Sequence, residues 1–197
     1  MTLVFASANK NKIREINALI PQNISVIGIE DIGIAEEIPE PGATIKENSL
    51  LKAAYVSDFL KAKNEAMPVF ADDSGLEVEA LNNAPGVYSA RYAGIPKSDA
   101  ANNTKLLEAL SAQTSRNARF VTVITLMIGS NIHYFEGEVK GVIAHEAKGS
   151  NGFGYDPLFI PDGYTNTFAE LNPDIKNAIS HRAQAVKKLV AFLKTIQ

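Results

Sequence analysis

The chain has 197 residues, 46% of them hydrophobic, and a net charge of 19 − 22 = −3. That suits one good-sized domain or two closely joined lobes, and it excludes wholesale disorder. The slightly acidic balance is no basis for binding nucleic-acid polymers or anionic membranes, and the lack of cysteine excludes disulfides and thiolate metal sites.

The opening "MTLVFASANKNK" has an apolar run too short for a signal sequence, and its lysines follow that run. No apolar run approaches membrane-spanning length. A soluble cytoplasmic protein is expected. Leu3–Ala6 reads as a short buried strand. "NKNKIREINALI" reads as a helix with Ile13, Ile16, Leu19 and Ile20 on one face, capped by Ser7 or Asn9. "EEIPEPGAT" is punctuated by two prolines and a glycine and reads as a loop. Thr44 and Glu47 then form a capping-box pattern for a helix to about Leu60.

Val69–Ala71 reads as a strand, followed by Asp72, Asp73, Ser74 and Gly75, where it should end and bend. Glu77 and Glu79 alternate with Leu76 and Val78, as on a solvated strand face. "LNNAPGVYSARYAGIP" is loop-rich, and Ser98 can cap a helix to about Leu110. Arg119–His145 is rich in β-branched and aromatic residues, split by Gly129–Ser130–Asn131, which predicts a hairpin of long strands. Its Phe120, Tyr134, Phe135, His133 and His145 read as core or surface residues, and Arg91 receives no role. "GSNGFGYDPLFIPDGY" is a glycine-rich loop around a short strand. Ser180–Ile196 forms an amphipathic helix with Val186, Leu189, Val190 and Leu193 on one face. Strand–helix alternation followed by a strand-rich block implies an α/β domain on a mixed sheet.

Two helix starts carry the wrong charge. A helix N-terminus favours anions, yet the first helix opens with Lys10 and Lys12. The last opens with His181 and Arg182, shortly after Lys176. A bound phosphate would reverse the cost, because helix amides and cations would then face one anion. Asp72 and Asp73 pose the complementary problem. Side chains alternate along a strand, so the pair converges only if the strand bends. Two converging carboxylates suit a hard divalent ion such as Mg²⁺, which commonly arrives with phosphates. A bare Asp-Asp-Ser-Gly is equally the composition of a solvated turn.

"SANKNKIREI", "EPGATIKENSLLKA", "FADDSGLEVEAL", "PGVYSARYAG", "GFGYDPLF" and "ISHRAQAVKKL" together resemble the inosine triphosphate pyrophosphatases. These enzymes hydrolyse deaminated purine nucleoside triphosphates. The resemblance covers nearly the whole chain. It implies one domain over residues 1–197: a long mixed central β-sheet with flanking helices, in two lobes enclosing a nucleotide cleft. It implies a Mg²⁺-dependent homodimer acting on ITP, dITP and XTP. Ser7, Ala8, Asn9, Lys10, Asn11 and Lys12 would bind the triphosphate, and Ser74 would touch substrate. Asp73 would be the catalytic carboxylate. Glu40, Asp72 and Asp73 would hold metal, with Glu36 and Glu37 competing for the role of Glu40. Phe153, Gly154, Tyr155 and Asp156 would flank base and sugar. Lys176, His181 and Arg182 would complete the pocket, the last two as donors toward a 6-keto oxygen. Two other functions would use the same nucleotide pocket. "SHRAQ" and "GFGYDP" argue against a pyrophosphatase for modified pyrimidine nucleotides. The paired aspartates argue against a non-catalytic nucleotide sensor.

Overall fold

In the computed structural model, which describes residues 1–196, the first strand is β1 (Thr2–Phe5) and the first helix α1 (Lys10–Leu19). Asn9 caps α1, its side chain accepting from the N–H groups of Asn11 and Lys12. α2 (Ile45–Ala62) opens on the full capping box, Thr44 and Glu47 each taking the other's backbone N–H. α3 (Asp99–Ala109) is capped by Ser98. β4 (Asn117–Ile128) and β5 (Asn131–Ile143) form the expected hairpin, with Gly129 at φ 59° in the turn. The short strand in the glycine-rich region is β6 (Phe159–Pro161), and the last helix is α5 (His181–Leu193).

Two elements add to those expected from the sequence pattern. β2 (Ser25–Gly28) is four residues long and shows no alternation of burial. α4 (Pro173–Ile179) does carry a start signal, since Asn172 accepts from the Asp174 N–H and Pro173 opens the helix. The larger departure is β3 (Val69–Val78). The expected bend at Ser74–Gly75 is absent, and ten residues run as one strand through both aspartates. A strand can do this because each aspartate finds cations on its own face, described below.

The strands form a six-stranded mixed sheet in the order β2-β1-β3-β4-β5-β6. β1 runs parallel to both β2 and β3, with Phe5 opposite Gly28 and Phe70. β5 and β6 are antiparallel. The chain divides into two compact units: Met1–Asp73, Thr122–Gly137 and Arg182 onward form one, and Ser74–Val121 with Glu138–His181 form the other.

In the first unit, strand alternation sorts the core into two layers. Leu3, Phe5 and Phe70 join Ile16 of α1 and Val186, Leu189 and Leu193 of α5. Val4, Ala6, Val69 and Ala71 join Ala53, Val56 and Leu60 of α2. One face of β1 and β3 therefore meets α1 and α5, and the other meets α2. Phe5 stacks on Phe70 with ring centroids 4.7 Å apart. The second unit packs Leu76, Leu106, Phe120, Phe159 and Phe168 into its own core. Phe120 thus belongs to the core, as expected, and His133 packs against Phe192. No helix among the described residues is long and apolar enough to cross a membrane.

A buried hydroxyl stitches α2 to the sheet. Ser49 Oγ donates to the Ala71 carbonyl (3.1 Å), accepts from the Thr125 N–H (3.0 Å) and lies 2.8 Å from Thr125 Oγ1. Ser49→Ala removes a partner from buried groups on β3 and β4. Leaving such groups unsatisfied costs about 1–3 kcal/mol, so urea unfolding should show a loss of that size, with an unchanged m-value.

Candidate active site

The strand period decides where the paired aspartates go. Phe70 faces α1 and α5, so Asp72, two residues on, faces them too. Lys12 Nζ of α1 donates to Asp72 Oδ1 at 3.0 Å. Arg182 of α5 donates to Asp72 Oδ2 from Nε (3.1 Å) and Nη2 (3.0 Å). Arg182 Nη1 also bonds Glu15 of α1. Ala71 faces α2, so Asp73 does as well. Lys52 of α2 donates to Asp73 Oδ1 (3.2 Å) and to Glu40 Oε1 (2.6 Å).

Asp72 and Asp73 therefore do not converge as expected. Both oxygens of Asp72 are occupied by cations, on the opposite face from Asp73. Of the expected metal set of Glu40, Asp72 and Asp73, Glu40 and Asp73 meet at Lys52, while Asp72 pairs with Lys12 and Arg182. Of the competing glutamates, Glu36 accepts from the Tyr55 hydroxyl (2.9 Å), and Glu37 is exposed. Among the described residues no three acidic, histidine or cysteine side chains form a metal cage. Two carboxylates at one point do fit Mg²⁺, which is commonly bound by one or two carboxylates plus phosphates and water.

The electrostatics separate the two aspartates. Asp72 is fully buried, which alone would raise its pKa, but Lys12, Arg182 and Lys52 outweigh burial and hold it below the ordinary carboxylate range. Asp73 moves the other way. Burial raises it, Lys52 and Lys12 only partly offset that, and the nearby Glu40 and Asp72 charges push it further up. Burial lowers the pKa of Lys12, with Asp72 countering. Lys12, Lys52 and Arg182 are thus each paired with at least one of the carboxylates of Glu15, Glu40, Asp72 and Asp73.

At the start of α1, Ser7 is buried and accepts from the Asn9 N–H (3.2 Å), while Ala8, Asn9 and Lys10 are exposed and Asn11 is half-buried. Lys10 faces solvent, but Lys12 already has a counter-charge from the chain itself. The cations at both helix starts are thus partly explained by Asp72, without an external anion. Ser74 is half-buried, next on β3 after Asp73.

The second unit assembles another polar group. Lys176 Nζ contacts Asp156 Oδ2 at 2.5 Å and lies 5.2 Å from the Phe153 ring centroid. Asp156 Oδ2 also accepts from the Phe153 N–H (2.8 Å). Gly152 has φ +76°, and a Cβ there would lie 2.0 Å from Asp156 Oδ2, so only glycine permits this turn. α3 grips the loop at Gly154, whose N–H donates to Asp99 Oδ2 (2.7 Å) and whose carbonyl accepts from Asn103 Nδ2 (3.0 Å). Tyr155 is turned into the core, its hydroxyl donating to the Ser89 carbonyl (2.8 Å), and burial holds its pKa well above the ordinary phenol value. It anchors the loop, and Phe153 and Gly154 remain half-buried. His181 stacks on Phe120 with centroids 4.7 Å apart.

Lys52, Glu15, Asp99 and Asn103 are site residues that sequence reasoning does not find. Lys52 had a signal: it lies seven residues after Ile45, on the buried face of α2, where a lysine needs a carboxylate. The others act through tertiary contacts and carry no local sign.

Residues 3–192 match the model of the Ham1 family. The chain is 50% identical over 192 residues to a dITP/XTP pyrophosphatase of Porphyromonas gingivalis, covering 97% of this chain and 96% of that one. It is 49% identical to a protein of the same description from Flavobacterium johnsoniae, over 98% of each. The fold matches the Ham1 protein of Staphylococcus aureus with a TM-score of 0.89, at 42% identity over the full length of both chains.

The two aspartates should respond oppositely to neutralisation. The pKa of Asp72 is lower in the folded state than the about 3.9 of an unfolded aspartate. Its stabilisation is complete above that value and is lost as pH falls toward its folded pKa. Asp72→Asn should cost about 3–5 kcal/mol at pH 7, as when one partner of a buried ion pair is removed, and flatten the loss of stability below about pH 4. The pKa of Asp73 is higher when folded, so its charged form opposes folding above that pKa. Asp73→Asn should leave the protein as stable or more so at pH 7. Urea unfolding at pH 7 and pH 3 checks both.

Proposed function

This chain belongs to the Ham1 family, and from that premise we propose that it hydrolyses dITP, ITP and XTP to the nucleoside monophosphate and pyrophosphate. Relatives described as dITP/XTP pyrophosphatases support this over nearly the whole chain. The chain is a hydrolase of deaminated purine nucleoside triphosphates, clearing aberrant nucleotides from the precursor pool. The observation that carries the chemistry is the meeting of Asp73 and Glu40 at Lys52.

Asp73 is the general base. Burial raises its affinity for a proton, which moves it toward the range where a base works at neutral pH. Lys52 holds Oδ1, so Oδ2 is the atom that takes a proton from the attacking water. Glu40 and Asp73 would hold Mg²⁺, with substrate phosphates completing its shell. The ion, when bound, supplies Lewis-acid stabilisation of charge on the phosphates. Asp72 acts differently from Asp73. It keeps Lys12 and Arg182 in place and thereby sets the positive end of the triphosphate site. The start of α1, exposed at Ala8, Asn9 and Lys10, meets the triphosphate with the Lys10 side chain and the positive end of the helix, while Ser7, Asn11 and Lys12 line it from within. Ser74, next to the base on β3, contacts substrate. The second unit's Phe153, Gly154, Asp156, Lys176 and His181 take base and sugar, with Tyr155 as their anchor. Arg182 reaches the substrate indirectly, through its pairing with Asp72.

A single domain, a homodimer and a cytoplasmic location complete the reading. They are supported by the family resemblance. No observation here favours a pyrimidine substrate or a sensor role.

Pyrophosphate release from ITP, dITP, XTP, ATP, GTP and dUTP tests the substrate class, and the three deaminated purines should dominate. Asp73→Asn should lose at least about 100-fold in turnover while the fold is retained. Glu40→Gln should raise the Mg²⁺ concentration needed for half-maximal rate. Asp73→Asn turnover within a few-fold of native would sink the assignment.

A further inference from the structure

Glu40 sits on a short segment, Pro39-Glu40-Pro41-Gly42, where proline restricts the backbone on either side. A stiff segment transmits position, so whatever holds Gly42 also sets where the Glu40 carboxylate lies. What holds Gly42 is Asn48, near the start of α2. Its Oδ1 accepts the Gly42 N–H at 2.7 Å. A Cβ on Gly42 would lie 2.6 Å from that oxygen and 3.0 Å from the Asn48 backbone nitrogen. The loop therefore rests directly on the helix, with no room for a side chain.

Neighbouring contacts extend the grip. Glu47 Oε2 accepts from the N–H groups of Ala43 (2.8 Å) and Thr44 (3.2 Å), and Lys52, one turn beyond Asn48, holds Glu40 itself. Asn48 is fully buried, and its Nδ2 has no hydrogen-bond partner among the described residues. A buried donor without a partner opposes folding, so a leucine of similar size would serve stability better. The geometry points to Asn48 as a positioning residue. Through Gly42 it fixes the carboxylate of Glu40 against Asp73, so that both face one divalent ion. This rests on the reading of Glu40 and Asp73 as the metal pair.

The test compares native protein with Asn48→Leu and Glu40→Gln, using Mn²⁺ as the probe. Hydrogen exchange reads the loop, electron paramagnetic resonance titration reads Mn²⁺ affinity, and thermal unfolding reads stability. Asn48→Leu should speed exchange of the Gly42 amide at least about tenfold, as loss of a protecting hydrogen bond opens the loop. It should weaken Mn²⁺ binding by about 10- to 100-fold, as loss of an outer support of a metal site commonly does. The melting temperature should stay level or rise. Gly42→Ala, which pushes on Asn48 Oδ1, should weaken Mn²⁺ binding in the same direction. If Glu40→Gln weakens Mn²⁺ binding and Asn48→Leu leaves it within about twofold of native, the inference is overturned. An unchanged Gly42 exchange rate overturns it too. If Glu40→Gln itself leaves Mn²⁺ affinity intact, the metal reading of Glu40 fails, and the exchange rate alone then decides whether Asn48 holds the loop.

Discussion

Everything at the site depends on β3 staying a strand through Asp72 and Asp73. Neighbouring strand residues point to opposite faces, so one peptide bond separates two environments. On one face Asp72 meets Lys12 and Arg182 and is held ionised. On the other, Asp73 shares Lys52 with Glu40 and has a raised proton affinity. A bend at Ser74–Gly75 would have brought two like charges together. The unbroken strand divides them and gives them separate surroundings, two cations for Asp72 and a lysine shared with Glu40 for Asp73.

That division requires three helices to deliver cations to two faces of one strand. α1 brings Lys12, α5 brings Arg182 and α2 brings Lys52. Burying so many charges is a poor route to stability, since desolvation opposes each of them. The arrangement makes sense as preorganisation. Burial and the nearby Glu40 and Asp72 charges raise the proton affinity of Asp73, and Lys12 lies in the first turn of α1, at the helix end that favours anions.

The second unit solves a different problem, holding a glycine-rich loop in one shape. Glycine at 152 lets the Asp156 carboxylate close on the Phe153 N–H and on Lys176. Asp99 and Asn103, one turn apart on α3, take both backbone groups of Gly154. Tyr155 anchors the same loop in the core. A loop tied at successive residues presents Phe153 at little further cost in conformational entropy.

Local rules were enough for much of the fold. The Thr44–Glu47 box, the Asn9 and Ser98 caps, the hairpin at Gly129 and the apolar face of α5 all follow from contacts within a few residues, which sequence spacing encodes directly. The quoted motif blocks likewise announced the family and the chemistry of its substrates. What spacing does not encode is which distant side chain meets which. Asp72 and Arg182 are 110 residues apart, and Lys52 joins Glu40 to Asp73 across a helix, a loop and a strand. That Asp72 meets a guanidinium, and that Glu40 meets Lys52 beside Asp73, follow from packing of α1, α2 and α5 on the sheet. The physical reason is the pleat: the sequence supplies two adjacent carboxylates, but only an unbroken strand paired with its neighbours sends them to opposite faces.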